Sequence, residues 1–337
     1  MMTAWEVQWR KGLFLPASGL WLDASHGVPR GVITHAHSDH IGRHQETICS
    51  EPTARLLHCR LSGHREVHIL PYGQEEALTF DTTITLHPAG HILGSSMVHL
   101  RSEAGTLLYT GDFKLRQGLA AESCAPPRAD VLIMETTFGL PKYVMPPEDE
   151  ARAAIIRFCR ESLADGRVPV LFCYSLGKTQ EVLAALDPVG PPVMLHPSAM
   201  RLTRIYEQCG YRFPAFREFD PYMANGHVVI CPPPHHGEGL LRHLPARRTA
   251  LISGWALDSA ATYRYRCDAA FPLSDHADFP DLLKLVELVQ PKSIWTVHGF
   301  AREFAATLRE RGWDALALGR ENPLELPLTN PRSKIPS

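Results

Sequence analysis

Thr34-His35-Ala36-His37-Ser38-Asp39-His40 follows the apolar run Gly31-Val32-Ile33 and concentrates histidine and aspartate in one short stretch. A buried strand ending in such a stretch puts it on a loop leaving a sheet edge. In extended backbone His35 and His37 point to the same side, two imidazoles aimed at one place. Asp39 and His40 come just after, where a turn or new helix would aim them at a second place. Nitrogen with carboxylate oxygen is a ligand set for zinc or manganese, not calcium. One loop cannot complete two metal sites, so further ligands must come from elsewhere.

Candidates stand at the ends of later strand-like runs. His91 lies in Ala89-Gly90-His91-Ile92, Asp112 in Thr110-Gly111-Asp112-Phe113 and His298 in Val297-His298-Gly299. The neighbouring glycine in each lets backbone approach closely. A carboxylate at Asp112 would bridge two ions ~3.5–4 Å apart, which suits attack on a phosphoryl or acyl centre. Scattered His26, His58, His64, His68 and His227 read instead as surface or hydrogen-bonded side chains.

The chain has 337 residues, 45% hydrophobic and 21% charged, enough for a sizeable core and roughly two domains. Lys+Arg (34) balance Asp+Glu (36), which excludes a chain dominated by disorder and a uniformly basic coat. A nucleic-acid partner would therefore need a local patch. No apolar run approaches the ~20 residues of a membrane span. The stretch MMTAWEVQWRKGLF lacks the apolar core of a signal peptide, so a cytoplasmic protein is expected. The 8 cysteines include no Cys-x-x-Cys pair and read as reduced thiols, neither a disulfide frame nor a thiolate zinc site.

Up to residue 135 the pattern predicts short strands, with a helix entering at Glu51-Pro52. The texture changes at Gly139-Leu140-Pro141. Helices near 147–163, 177–186 and 198–209 then alternate with strands at 168–173, 193–195, 228–231 and 250–253, as in a parallel α/β sheet. Residues 263–267 read as another strand. A helix (280–289), a strand (293–297) and a helix (301–311) follow. The tail holding Pro323, Pro327, Pro331 and Pro336 is expected to be loosely ordered.

The pattern His-x-His-x-Asp-His, with a His and then an Asp after later strands, resembles the metallo-β-lactamase superfamily. Asp23, in Leu22-Asp23-Ala24, matches its first motif, an acid supporting the ligand loop. Met134-Glu135-Thr136-Thr137-Phe138-Gly139 resembles the first motif of the β-CASP nucleases. Ser274-Asp275-His276-Ala277-Asp278 resembles their second and Val297-His298-Gly299 their third. Tyr174-Ser175-Leu176-Gly177-Lys178-Thr179-Gln180 is similar to a segment opening a helix in their inserted domain. The Leu140-Pro141 step and Ser253-Gly254-Trp255 bring the chain nearest to the bacterial ligase-associated DNA exonucleases.

That resemblance implies an αββα sandwich from residues 1–140 and 271–337, with an α/β β-CASP cap at 141–270. It implies two divalent ions, zinc or manganese. His35, His37 and His91 would hold one, Asp39, His40 and His298 the other, and Asp112 would bridge. A hydroxide between the ions would attack phosphorus, positioned by Asp112. His276 would protonate the leaving oxygen, oriented by Glu135. The third-motif His298 leaves DNA and RNA both open. The subfamily resemblance points to a single-strand-preferring DNA exonuclease in repair, linked functionally to an ATP-dependent ligase and a helicase. An RNA-processing ribonuclease, a small-ester hydrolase and a non-enzymatic partner subunit are the rivals. The insertion argues against the ester hydrolase, and the full ligand set against the partner subunit.

Substrate contacts are less sharply marked. Ser175, Gly177 and Lys178 precede a helix and could bind one phosphate, although a serine cap beside a solvated lysine explains them nearly as well. Arg201, Arg204, Arg212 and Arg217, interleaved with Tyr206, Tyr211, Phe213 and Phe216, suit a single strand. A helix burying its rings with arginine on the wet face suits them equally. Arg247, Arg248, Arg264 and Arg266 are further candidates.

Overall fold

Leu13, Leu15, Leu20 and Leu22 are buried while Phe14 and Trp21 between them are half-buried, the period-two pattern of strands with one covered face. The computed structural model describes residues 5–63, 65–186, 190–233, 240–244 and 246–319. The expectations for His64 and for the proline-punctuated tail lie outside them.

The first sheet runs in chain order: β1 (Gln8–Trp9), β2 (Leu13–Leu15), β3 (Leu20–Leu22), β4 (Arg30–Val32), β5 (Glu46–Cys49) and β6 (Glu66–Ile69). Helix α1 (Glu51–Arg60) starts at Ser50, whose hydroxyl accepts the Thr53 N–H, with Pro52 in the first turn. The second sheet begins with β7 (Glu75–Ala77), β8 (Thr83–Pro88), β9 (Ser96–Ser102), β10 (Gly105–Tyr109) and β11 (Val131–Glu135).

An inserted layer of parallel sheet and helices follows. It comprises α2 (Glu148–Ala164), β12 (Val168–Phe172), α3 (Lys178–Ala185), β13 (Val193–Leu195), α4 (Pro197–Gln208), β14 (Phe216–Glu218), β15 (Val228–Cys231), β16 (Arg247–Ile252), α5 (Ala261–Tyr265) and β17 (Ala269–Phe271). Its strands lie in the order β14-β13-β15-β12-β16-β17. Then α6 (Phe279–Val289), β18 (Ser293–Val297), α7 (Ala301–Glu310) and β19 (Ala315–Ala317) complete the second sheet. β18 pairs in parallel beside β11, Val131 against Ser293 and Glu135 against Val297.

The two sheets face each other across Leu13, Leu22 and Val32 on one side and Leu86, Leu100 and Ile133 on the other. Leu282, Leu285 and Val286 of α6 and Phe304 and Leu308 of α7 cover the outer face of the second sheet against Leu132 and Ile294. Leu56 and Leu57 of α1 share a cluster with Leu202, Ile205 and Tyr206 of α4, which ties the cap to the sandwich. The molecule is an α/β sandwich with an inserted α/β cap.

Buried charge reinforces that junction. Lys114 Nζ lies 2.7 Å from Glu148 Oε1, and Arg152 Nη2 lies 2.7 Å from Glu181 Oε1. Glu181 Oε2 also accepts the N–H groups of Leu119 (2.7 Å) and Ala120 (3.1 Å). Removing one partner of such a buried pair costs about 3–5 kcal/mol. The exposed Lys284–Glu287 pair is worth at most about 1 kcal/mol.

One expected strand is wrong. Residues 263–267 do not extend; α5 occupies Ala261–Tyr265 and Arg266 turns out of it with φ 49°. Asp258 accepts the Ala260 N–H (3.0 Å) and pairs with Arg264 (2.9 Å), favouring the helical turn over the β preference of the two tyrosines. The strand beside β16 is β17, from Ala269.

His44 sits beneath the histidine loop, 4% exposed, with neither ring nitrogen hydrogen-bonded. A Cβ on Gly31 or Gly42 would come within 2.7 or 2.3 Å of its ring, so glycine is required at both. Burial pulls its pKa down to about 4. Between about 4 and the unfolded value near 6.5 the unfolded chain binds the extra proton, so stability falls as pH falls through that window. The denaturation midpoint of metal-stripped protein should drop from pH 6.5 to 4, and His44→Leu should make that drop shallower.

Candidate metal centre

The strand ends place the charged and nitrogenous groups. β4 runs into Ile33 and Thr34 and delivers the His35–His40 loop, whose Ser38–His40 segment is a single 3-10 turn. β8 leads to His91, β10 to Asp112, β11 ends at Glu135 and β18 leads to His298. Because β10, β11 and β18 are parallel neighbours, their carboxyl ends open on one side. Asp275 and His276 arrive from the segment between β17 and α6.

Three imidazole nitrogens converge. His37 Nδ1 lies 3.1 Å from His35 Nε2 and 3.0 Å from His91 Nε2. The opposite nitrogen of each ring is already committed. His37 Nε2 meets the Leu176 carbonyl (3.2 Å), and His91 Nδ1 the Asp275 carbonyl (2.7 Å). Thr34 Oγ1 donates to Asp23 Oδ2 (2.7 Å), so it accepts from His35 Nδ1 at 3.1 Å. These partners place the protons outward and leave three lone pairs facing one another. Burial holds His35 and His37 below the usual histidine range and His91 down to about 3, so the rings are neutral. Converging unprotonated nitrogens repel unless a cation lies among them. Ligands of a tetrahedral zinc site are about 3.3 Å apart for bonds of about 2.0–2.1 Å. The donor set therefore fits a divalent ion.

Asp112 faces this group and a second one. Its Oδ2 is 3.5 Å from His35 Nε2, 3.9 Å from His91 Nε2 and 3.3 Å from His40 Nε2. Burial opposes its charge, but the surrounding histidines, His40 first, hold it well below the usual carboxylate range. His40 Nε2 is also 3.7 Å from Asp39 Oδ2, and the His298 ring centre is 5.7 Å from that of His40. This second set is more open, with Asp39 exposed at the cleft wall. His298 takes φ 58°, a conformation rare outside glycine, and Trp9 packs edge-on against it at 5.6 Å.

Asp23 supports both sets. Its carboxylate accepts from the Thr34 N–H (2.8 Å), Thr34 Oγ1 (2.7 Å), His40 Nδ1 (2.9 Å) and Tyr109 OH (2.9 Å).

His276 lies on the other side of His91, ring centres 4.5 Å apart, and borders the same cleft. Its Nδ1 is 3.0 Å from Oε1 of fully buried Glu135. Glu135 also accepts the N–H groups of Phe113 (3.3 Å) and Thr137 (2.9 Å). Burial alone would depress His276, but the Glu135 carboxylate outweighs it and pushes the imidazole up to about 9.

The expected phosphate donors fare differently. Ser175 borders the cleft, its Oγ 2.7 Å from Ser198 Oγ. Lys178 does not reach solvent. It is 1% exposed, with Nζ 3.2 Å from Asp275 Oδ1, because a buried ammonium needs the carboxylate. The Gly177 N–H is taken by Gln180 Oε1 at 2.7 Å. Gly177 has φ 84°, and a Cβ there would meet Ile92 at 2.3 Å, so this glycine is a close-packing device.

The arginine-aromatic stretch is likewise mostly structural. Tyr206 is fully buried and stacks on Tyr211 and Phe213, and Arg204 lies over Phe216. Of its arginines, only Arg201 borders the cleft. Arg247 donates to the Leu241 and Leu244 carbonyls, Arg248 lies over Phe158, and Arg264 pairs with Asp258. Among the scattered histidines, His68 pairs with Glu76 (2.7 Å), His227 with the Asn225 carbonyl (2.9 Å), and His26 packs on Trp21.

Sequence reading missed Tyr109, Thr34 and Asp275 as supports of the ligands, and Arg60 at the cleft. Thr34 and Asp275 adjoin marked histidines, a usable signal. Tyr109 and Arg60 carry none.

Comparison with known proteins agrees with this geometry. Residues 263–318 match the family model described as the Zn-dependent metallo-hydrolase RNA specificity domain. A protein of Opitutus terrae described as a probable DNA ligase is 56% identical over 323 residues, 96% of this chain and 32% of that protein. An RNase J-like protein of Methanocaldococcus jannaschii is 26% identical over 216 residues, 55% of this chain and 51% of that protein. The 5′ exonuclease Apollo of Gallus gallus is 33% identical over 182 residues, 52% of this chain and 39% of that protein. The chain thus spans between a third and a half of the length of these relatives. Sandwich, inserted cap and histidine loop are those of a metallo-β-lactamase fold, and these kinships make the chain similar to its β-CASP branch. No helix among the described residues is long and apolar enough to cross a membrane.

Removing a support of a ligand costs about 10–100-fold in metal affinity. Asp23→Asn should lose affinity in that range, measured by competition with a chromophoric chelator, while its far-ultraviolet circular dichroism matches the parent.

Proposed function

We propose that this chain is a two-ion metal-dependent phosphodiesterase that shortens single-stranded DNA from an end, in DNA repair. One observation carries the reading: three inward-facing imidazole lone pairs lie beside Asp112, with the Glu135–His276 pair flanking them. His35, His37 and His91 would hold one ion and Asp39, His40 and His298 the other, with Asp112 between them. Zinc or manganese would supply Lewis acidity to the phosphate and lower the pKa of the attacking water.

The chain's own residues do the rest. Asp112, kept ionised by its histidines, orients the attacking water towards phosphorus. As the P–O bond to the leaving sugar oxygen breaks, His276 donates its Nε2 proton to that oxygen. Glu135 fixes the tautomer through Nδ1 and stabilises the imidazolium before transfer.

DNA as substrate and action from an end are supported by kinship with the probable DNA ligase of Opitutus terrae and the 5′ exonuclease Apollo. A ribonuclease reading is favoured by the RNA specificity description of residues 263–318 and by kinship with the RNase J-like protein of Methanocaldococcus jannaschii. A functional link to a DNA ligase and a helicase belongs to the proposal too.

End-labelled single-stranded DNA and RNA, incubated with zinc or manganese, test it. Stepwise shortening of DNA, abolished in His37→Ala, is the expected result. Cleavage of RNA alone would transfer the chain to the ribonuclease reading. His276→Asn should lower kcat by about 10²–10⁴-fold, with metal content unchanged. The deficit should shrink on a substrate with a nitrophenolate leaving group, which needs little protonation.

A further inference from the structure

The rings that the sequence offered as a base platform are committed to the cap interior, and two others stand at the cleft. Tyr174 follows the end of β12 and is 57% exposed. Trp255 follows the end of β16 and is half-buried, packed against Phe138 (4.8 Å between ring centres) and Tyr143 (5.7 Å). β12 and β16 are adjacent parallel strands, and β15, on the other flank of β12, ends at Cys231, just before Pro232. Tyr174, Pro232 and Trp255 all line one cleft of about 710 Å³, which continues to His37, His40, Asp112 and His298.

Val182 and Leu183 of α3, between β12 and β13, pack with Leu171 and Leu195 on one face of the sheet, and Leu241 and Leu244, between β15 and β16, pack with Val170 and Cys231 on the other. Open α/β sheets take their ligands in such a crevice, beyond the carboxyl ends of the strands where the winding reverses. The cap therefore carries the geometry of a ligand site of its own, contiguous with the metal centre.

Charge fits the same ligand. Arg60, at the last turn of α1, and Arg201, in the second turn of α4, are exposed and border this cleft. Neither makes an ion pair or a hydrogen bond among the described residues. They are local cations in a chain of net charge −2. Aromatic faces for bases and free guanidinium groups for phosphates are what a single strand requires.

We infer that Tyr174 and Trp255 form a base-binding subsite in the cap, which takes an unpaired nucleobase while Arg60 and Arg201 hold the phosphates beside it. This rests on the phosphodiesterase reading above and extends it to how the strand is gripped. Phe138 packs tilted and Tyr143 edge-on against Trp255, so little rotamer freedom remains to be lost on stacking. Stacking accepts every base, so the subsite reads the unpaired state and not the sequence. A base in a duplex would first have to be unpaired and unstacked.

The test titrates the purified protein with labelled, hydrolysis-resistant phosphorothioate strands of DNA and of RNA, each with bases or with abasic units. The base-bearing strand should bind about tenfold or more tighter than its abasic counterpart. Tyr174→Ala and Trp255→Ala should bring that ratio towards one, and Tyr174→Phe should keep it. Arg60→Gln should weaken both strands and reduce the slope of log affinity against log salt by about 0.7. A ratio near one in the parent protein, with DNA and RNA alike, or an unchanged ratio in both alanine variants, overturns the subsite. Cleavage of ordinary strands in parallel separates the two claims. Cleavage with no base preference removes the subsite alone, and base preference without cleavage removes the phosphodiesterase reading and keeps the subsite.

Discussion

The carboxylate of Asp23 is the constraint on which the rest of the centre depends. It is almost fully buried at the end of β3, with φ 48°, and carries a negative charge into the interior. Such a charge is tolerated only when its lone pairs are filled. Four donors fill them: the Thr34 amide and hydroxyl, His40 Nδ1 and Tyr109 OH. Three of them also have a second consequence. The Thr34 hydroxyl, donating to Asp23, must accept from His35, which turns His35 Nε2 inward as an unprotonated nitrogen. His40, donating through Nδ1, presents Nε2 to Asp112. Tyr109 joins the first sheet to the second through this one side chain. A single buried acid thus orients two imidazole rings and ties the two sheets together beside them.

Cap and metal centre are linked by similar logic. The outward proton of His37 goes to the carbonyl of Leu176, which belongs to the cap, and that of His91 to the carbonyl of Asp275 where the chain returns from it. The Asp275 side chain is in turn held by Lys178 of α3. The cap is therefore part of the support of the ligands as well as a cover, and its separation from the sandwich would free two of the three converging rings. The buried Lys114–Glu148 and Arg152–Glu181 pairs resist that separation at the junction.

Much of this was legible because it is local. His35, His37, Asp39 and His40 occupy one short loop, and the strand pattern around His91, Asp112 and His298 put each at a strand end. The alternation of strands and helices after residue 139 reads as a parallel layer, since each βα unit must bury an apolar stripe. Residues 263–267 misled because two β-prone tyrosines outweigh, on paper, an aspartate that holds the turn before the helix and pairs with Arg264 within it. Lys178 and the ring-rich stretch after residue 200 misled for another reason. Composition shows that a lysine or a tyrosine is present, and burial decides whether it can meet a ligand. Tyr206 went inward against Leu93 and Ile205, while Tyr174 stayed outside.

The sequence by itself determined the residue types of the candidate ligands, their loop and strand-end positions, and the layered α/β architecture. Those follow from side-chain chemistry and from the short-range periodicities of 2 and 3.6. Only the tertiary structure decided which nitrogen of each histidine faces inward, that Asp112 faces both ligand sets, that Lys178 is an internal counter-ion, and which rings and cations reach the cleft. Those are relations among residues far apart in the chain, 184 positions in the case of His91 and Asp275. They exist only once packing has fixed burial and hydrogen-bond partners, and no local pattern encodes them.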